Sequence, residues 1–445
     1  MEDSSFFATE RIGKILLKLA PPVMLAQLIQ AMYNIVDSFF VGQYSNDALT
    51  ALTVIYPLQL IIVALAVGTG VGVNTYMARK DSQGRFEMSE KTAGTGTVLA
   101  ILSWIVFAGI SFVIMRPYVM TSAKTPAAVE DAVIYGNIVC LGSLPTLLEG
   151  SWSKVLQARG NMRLPMLGQV FGALTNIILD PLLIFGLGPC PEMGVAGAAY
   201  ATVAGQLVAA IVVGLKGCRK IPPLREIPRC AGKIYFYGYS SICMQALYTV
   251  YIVVLNMILA GFSDAAVTVL GLYYKMQSFF FIPLFGLTTC MVPVLSYNYA
   301  RASYARCREL MSKSFAVSMA FMLVGIVCFV GFPAQTISLF STSAEVHRIG
   351  RIAFPIIGSS FGFAVFSLMT PVFFQATGDG MTSLFLNILR QIICRVPVFW
   401  VLSLIGLNYT WIAFPVAELC SGAVGYVLYR RVLRRWKTEN PQAFA

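Results

Sequence analysis

Thr92-Ala-Gly-Thr-Gly-Thr-Val-Leu-Ala-Ile-Leu-Ser-Trp-Ile-Val-Phe-Ala-Gly-Ile-Ser-Phe-Val-Ile-Met115 contains no charged side chain. As an α-helix, residues 92–115 would reach about 36 Å, more than the hydrocarbon core of a bilayer. Such a run reads as a membrane span, and it is one of many. Residues 314–344 and 352–378 are also free of charge, and between Lys18 and Arg79 the only charges are Asp37 and Asp47. Over the 445 residues, 57% are apolar and 12% charged. A soluble chain averages about 25% charged residues, because its surface must be clothed against water. Large aqueous enzymes, secreted disulfide scaffolds and disordered regulators are therefore poor readings. An all-α integral membrane protein is expected, with about a dozen spans joined by short loops.

The spans are placed near 15–40, 51–78, 93–115, 128–152, 164–187, 194–215, 234–260, 266–299, 313–333, 347–374, 383–406 and 409–430. Several are longer than a bilayer needs, which predicts tilt, kinks or protruding ends. The net charge of +12 resolves into short basic clusters between apolar runs. With both termini in the cytoplasm, alternate loops hold 25 Lys and Arg on the inner side and 4 on the outer. That asymmetry is the topological signature of a multi-pass protein, and no nucleic-acid partner is called for. The ten cysteines are scattered without a CxxC pair, and one His leaves no Cys/His metal constellation.

The chain repeats itself. Gln157-Ala-Arg-Gly160 returns as Gln375-Ala-Thr-Gly378, Gly42 with Asp47-Ala48 as Gly261 with Asp264-Ala265, and Gly68 as Gly286. Six spans per copy, an even number, make a parallel repeat about an axis along the membrane normal, an arrangement used by transporters. The organisation expected is a first lobe over 1–215, a cytoplasmic linker over 216–233 with Pro222, Pro223 and Pro228, a second lobe over 234–430 and a cytoplasmic tail over 431–445.

Within that frame, Gln30-Ala-Met-Tyr-Asn-Ile-Val-Asp37-Ser-Phe-Phe-Val-Gly42, Asn176-Ile-Ile-Leu-Asp180-Pro181 and Gly197-Ala-Ala-Tyr-Ala-Thr202 resemble motifs of the multidrug and toxic compound extrusion (MATE) family. Pro283-Leu-Phe-Gly286 and Gln375-Ala-Thr-Gly378 add to the likeness in the second copy. The resemblance covers roughly residues 10–430 and is nearest to the bacterial MepA-type branch. It implies a twelve-helix, two-lobed, V-shaped antiporter of the plasma membrane, exporting organic cations against a proton or sodium gradient.

Four acids fall inside spans: Asp37, Glu149, Asp180 and Glu418. A carboxylate at bilayer depth costs several kcal/mol unless it is paired or hydrated, so such residues mark ion paths. Asn176 and Asp180 are spaced i, i+4 and share a helix face. If both face Asp37, they form an oxygen-rich cluster for a proton or a sodium ion. The resemblance points to the same set, Asp37, Asn176, Asp180 and Thr202, with Tyr135 as a supporting hydroxyl. The competing reading is that these groups only pin helices together.

Pro21 and Pro22 mark a kink or flexible point of the first span, or merely its start. A hinge there would let protonation of Asp37 or Asp180 bend the helix and narrow the cargo site. Gln30 shares a face with Asp37 and, with Tyr33 and Asn34, is a candidate cargo contact. In the second lobe the candidates are Gln245, Tyr248, Asn256 and Glu418. Asn256 occupies the repeat counterpart of Asp37, so that lobe lacks the acid. Arg390 and Arg395 are expected to snorkel, Glu418 to pair with Lys275 or Arg395 or to line a cavity, and Glu149 to pair with Lys154. Gly68-Thr-Gly70 and Gly94-Thr-Gly96 lack a following Lys-Ser/Thr, so they read as close helix contacts, and no nucleotide site is seen.

The function expected is proton-coupled export of amphipathic cations by a monomer in a bacterial plasma membrane. It needs no cofactor, proceeds by alternating access and involves membrane lipids as neighbours. Sodium coupling and a lipid-linked saccharide flippase are the alternatives. An enzyme is disfavoured by the want of a nucleophile–base set.

Overall fold

The computed structural model describes residues 5–120, 126–188, 190–338, 343–439 and 441, the side chains at positions 34, 35, 38, 46, 47, 49, 50, 53 and 264 excepted. No strand occurs among the described residues. The first half contains α1 (Ile12–Tyr44), α2 (Asn46–Ser82), α3 (Phe86–Met120), α4 (Pro126–Leu141), α5 (Leu144–Ala158), α6 (Arg163–Ile184) and α7 (Gly194–Gly217). The second contains α8 (Ile227–Ala260), α9 (Asp264–Phe280), α10 (Ile282–Ala300), α11 (Tyr304–Ile326), α12 (Ala344–Gly358) and α13 (Phe361–Thr377). It ends with α14 (Gly380–Ile388), which continues through a π-helical stretch, Leu389–Arg395, into Val396–Ser403, and α15 (Ala413–Glu439).

Nine helices among the described residues are long and apolar enough to cross a membrane. The number rises to twelve when α4 with α5, α9 with α10 and α12 with α13 each count as one span, bent by 41°, 55° and 54°. Two of them, over the predicted spans 266–299 and 347–374, are among the overlong runs for which tilt, kinks or protruding ends were expected. Charge-free runs locate the apolar middle of a helix but not its ends, so most helices extend past the predicted spans. α8 starts at Ile227, inside the stretch read as a linker, and α15 continues through the predicted tail to Glu439.

Among the described residues the chain divides into two compact units, one within 21–242 and the other of 5–20 with those within 243–441. Both changes of unit fall inside a continuous helix, at Ala20–Pro21 in α1 and at Ile242–Cys243 in α8. The second change comes later than the 216–233 stretch because glycine grooves hold the start of α8 in the first unit. A Cβ on Gly72 would lie 2.0 Å from the Ile234 carbonyl oxygen, and one on Gly68 would lie 2.1 Å from Ile242 Cγ1. Likewise a Cβ on Gly94 would meet the Lys220 carbonyl oxygen at 2.1 Å, as expected of glycines that permit close backbone approach. The first unit's core gathers Ile55, Met115, Tyr135 and Val139, all under 3% exposed.

The N-terminal segment is fastened within the second unit. Phe7 is fully buried, with its ring edge-on to Tyr297 at 5.6 Å. Arg306 donates to the carbonyl oxygens of Phe7 (2.8 Å) and Glu10 (2.6 Å), and Asn298 Nδ2 donates to the Phe7 carbonyl (3.1 Å). Pro21 and Pro22 lie inside α1, which begins upstream at Ile12. They do not merely mark a helix start, and they stand where α1 passes from one unit to the other.

Candidate functional site

Small residues bring the polar groups of the first unit together. Where α6 meets α7, a Cβ on Gly205 would lie 2.6 Å from the Gly172 carbonyl oxygen and 3.2 Å from Asn176 Cβ. A Cβ on Gly197 would lie 2.5 Å from the Leu183 carbonyl oxygen. With no side chains between them the two backbones nearly touch, which sets Asn176 and Asp180 on α6 beside Thr202 on α7. Asn176 Nδ2 donates to Asp180 Oδ1 at 3.2 Å, which places the two on the shared helix face expected of them. Pro181 has no N–H, so the Ile177 carbonyl loses its helical partner one turn from the carboxylate.

Asp37 on α1 brings its carboxyl group to that of Asp180. Tyr33 and Tyr135 stand within electrostatic range of Asp37, and Gln59 Nε2 donates to the Tyr135 hydroxyl at 3.3 Å. Asp37, Tyr135, Asn176, Asp180 and Thr202 are all buried. Neither aspartate is in an ion pair with Lys or Arg among the described residues. One oxygen each of Asp37, Asn176, Asp180 and Thr202 has no hydrogen-bond partner there. Two carboxyl groups this close, without a neutralising cation, hold a shared proton or a small hard cation more readily than two negative charges.

A cavity of about 370 Å³ in the same unit is lined by Gln30, Tyr33, Gln59, Asn176 and Thr202, with apolar walls from Leu60, Val63 and Val67. Gln30 and Tyr33, two of the candidate cargo contacts, line this cavity; the side chain of Asn34 is outside the described ones. Gln59 and Glu149 also line this cavity. Neither was singled out as a cargo contact from the sequence, although the acid was visible as a charge inside a span. Glu149 does not make the expected ion pair with Lys154. Its Oε1 accepts from Ser153 at 2.6 Å, while Lys154 Nζ donates to Gln157 at 2.9 Å.

The second unit is built differently. Glu418 accepts from Arg390 Nε at 3.1 Å, and Arg395 and Ser367 also bond its carboxylate. The Arg395 guanidinium lies 5.0 Å from the ring centres of both Tyr251 and Phe414. Arg390, Arg395 and Glu418 are each no more than 5% exposed, so the two arginines do not snorkel. They are retained at depth by the carboxylate and the aromatic faces, which replace the water they would otherwise seek. Glu418 pairs with Arg395, as one reading held, and with Arg390, while Lys275 is exposed. Gln245 is half-buried and its carbonyl oxygen accepts from Thr249. Asn256 is half-buried, and Tyr248 packs edge-on against Tyr251 and Tyr274.

Two stretches, residues 22–182 and 241–401, each match the MatE family model. The chain belongs to the MatE family. The two matches restate the internal repeat and make this MATE protein a multi-pass membrane transporter. Among curated relatives it is 24% identical over 446 residues to the "FAD transporter" of Shewanella oneidensis, covering 97% of each chain. It is 24% identical over 449 residues to the "Multidrug export protein MepA" of Staphylococcus aureus, covering 96% of each. The fold is that of a solved structure described as the outward-facing conformation of a multidrug resistance MATE family transporter of the MOP superfamily. That likeness has a TM-score of 0.90 at 22% identity, over 98% of this chain and 99% of that one.

Proposed function

We propose that this MATE transporter is a proton-coupled antiporter that exports amphipathic organic cations by alternating access. It would do so as a monomer in a bacterial plasma membrane, with both termini in the cytoplasm. The observation that carries the reading is the Asp37–Asp180 pair, buried without a cationic partner among the described residues and adjoining a partly apolar cavity. In the proton-bound state the pair is neutral enough to remain in a dry interior. On release it becomes an anionic site that favours cationic cargo. Asn176, Thr202 and Tyr135 supply oxygens and donors that keep the two carboxyl groups in register. Pro21 and Pro22 give α1 two missing backbone donors, so a change at Asp37 can be relieved by bending the helix there. The same oxygens can hold sodium, which makes the choice of coupling ion an experimental matter. Reconstituted into liposomes, the protein should extrude ethidium when a proton gradient is imposed and not when a sodium gradient is imposed alone. Asp37→Asn should abolish export while the protein stays folded; unchanged export in that variant sinks the reading.

A second reading, export of a flavin dinucleotide, is favoured by the Shewanella relative and by the surplus positive charge of the Arg390–Glu418–Arg395 cluster. Cells that overproduce the protein would then release FAD into the medium. A flippase for a lipid-linked saccharide would need a strongly basic cavity, and among the described residues neither Lys nor Arg lines the first-unit cavity.

A further inference from the structure

The carboxylate that lines the first-unit cavity is not one of the aspartate pair. Asp37 and Asp180 are not among the lining residues, whereas Glu149 is on the cavity wall, together with Gln169 and Gln206. On α6, Gln169, Asn176 and Asp180 follow one another at helical spacing, so Gln169 lies about 16 Å along the helix from Asp180. Gln206 follows Thr202 by one turn on α7, and its buried Oε1 has no hydrogen-bond partner among the described residues. The two helices therefore carry parallel polar files from the aspartate pair to the level of Glu149, with Tyr33, Leu60 and Val63 among the cavity-lining residues.

Glu149 is oriented by neutral donors. Ser153 donates to Oε1 at 2.6 Å from one turn further along α5, and Gln169 is within hydrogen-bonding reach. Glu149 is in no ion pair among the described residues. Lys154, about 140° away around the helix, donates to Gln157 and lies within electrostatic range of Glu149 without forming an ion pair with it. A carboxylate held by neutral donors on the wall of a cavity, with apolar and aromatic surface beside it, is the arrangement that recognises a cation with a greasy body.

We propose that Glu149 is the cargo-facing carboxylate of the first unit. It would bind the positive centre of an amphipathic cation in a subsite shared with Gln169 and Gln206, spatially separate from the Asp37–Asp180 pair that exchanges the coupling ion. The inference rests on the cation-export reading above and adds that cargo and coupling ion engage different carboxyl groups of one cavity.

The test is equilibrium binding to the purified full-length protein in detergent, comparing tetraphenylphosphonium with the uncharged triphenylphosphine oxide. Glu149→Gln should raise Kd for tetraphenylphosphonium about thirtyfold, since a charge is lost from a largely desolvated pair. It should leave the uncharged probe within twofold, and Glu149→Asp should fall between. A general packing defect would weaken both probes alike and overturn the assignment, as would an unchanged Kd for tetraphenylphosphonium. If the wild-type protein binds the uncharged probe and not the cation, the export reading itself fails and takes this subsite with it.

Discussion

The two units carry buried polar clusters at corresponding places in the repeat, and the clusters have opposite character. In the first, Asp37 and Asp180 share a pocket of oxygen atoms and make no ion pair with Lys or Arg among the described residues. In the second, Glu418 sits under two arginines and a serine hydroxyl, with Tyr251 and Phe414 covering the outer guanidinium. The matched segments 22–182 and 241–401 put Arg395 at the counterpart of Asn176 and Asn256 at the counterpart of Asp37. Duplication supplied two copies of one scaffold. In one copy the acids have no cationic partner among the described residues, and in the other the carboxylate is tied to two guanidinium groups. An ion triad of that kind contributes orientation and rigidity, because its parts cannot change protonation state cheaply.

Breaking each cluster should have different consequences. The largest effect is expected from Asp180→Asn or Asp37→Asn: proteoliposome export should fall at least a hundredfold while the thermal midpoint stays the same or rises. A midpoint that fell together with export would make the first cluster structural as well. Next, Glu418→Ala should leave two buried guanidinium groups uncompensated and cost about 3–5 kcal/mol of stability, read as a lowered midpoint and poor yield after detergent extraction. A variant of normal stability and altered cargo preference would move Glu418 into the binding machinery. Third, Asn256→Asp should fail to restore export to Asp37→Asn, because Arg395 stands where an acid's amide neighbour should be; recovered export would show the units to be interchangeable. The smallest effect is expected from Gln59→Leu, which removes one hydrogen bond to Tyr135 and should cost about 1 kcal/mol, with at most a severalfold loss of transport.

Much of the architecture could be read before any coordinates. Charge-free runs located the spans, since a bilayer tolerates few unpaired charges, and the i, i+4 spacing of Asn176 and Asp180 put them on one helix face. The glycine contacts were legible for the same reason: small residues in apolar helices usually face another backbone. Pairing across distant helices was legible only as an alternative: Glu418 with Arg395 was one reading beside Lys275 and a cavity-lining role, and nothing in the sequence singled out Arg390 as a second partner. Glu149 was likewise assigned to Lys154, its neighbour along the chain, although five residues of helix turn the two side chains to different sides. Local spacing reveals partners on one helix, and only the packing of helices reveals the rest.

The exchange of units within α1 and α8 bears on any attempt to dissect the protein. A gene severed in the loop after Gly217 would give an amino-terminal fragment lacking Ile234 and Ile242, the ridges that fill the grooves at Gly72 and Gly68. The same fragment would keep residues 5–20 but lose Asn298 and Arg306, to which they are moored. Each half would emerge with an orphaned seam, so independently expressed halves should be soluble in detergent only when made together.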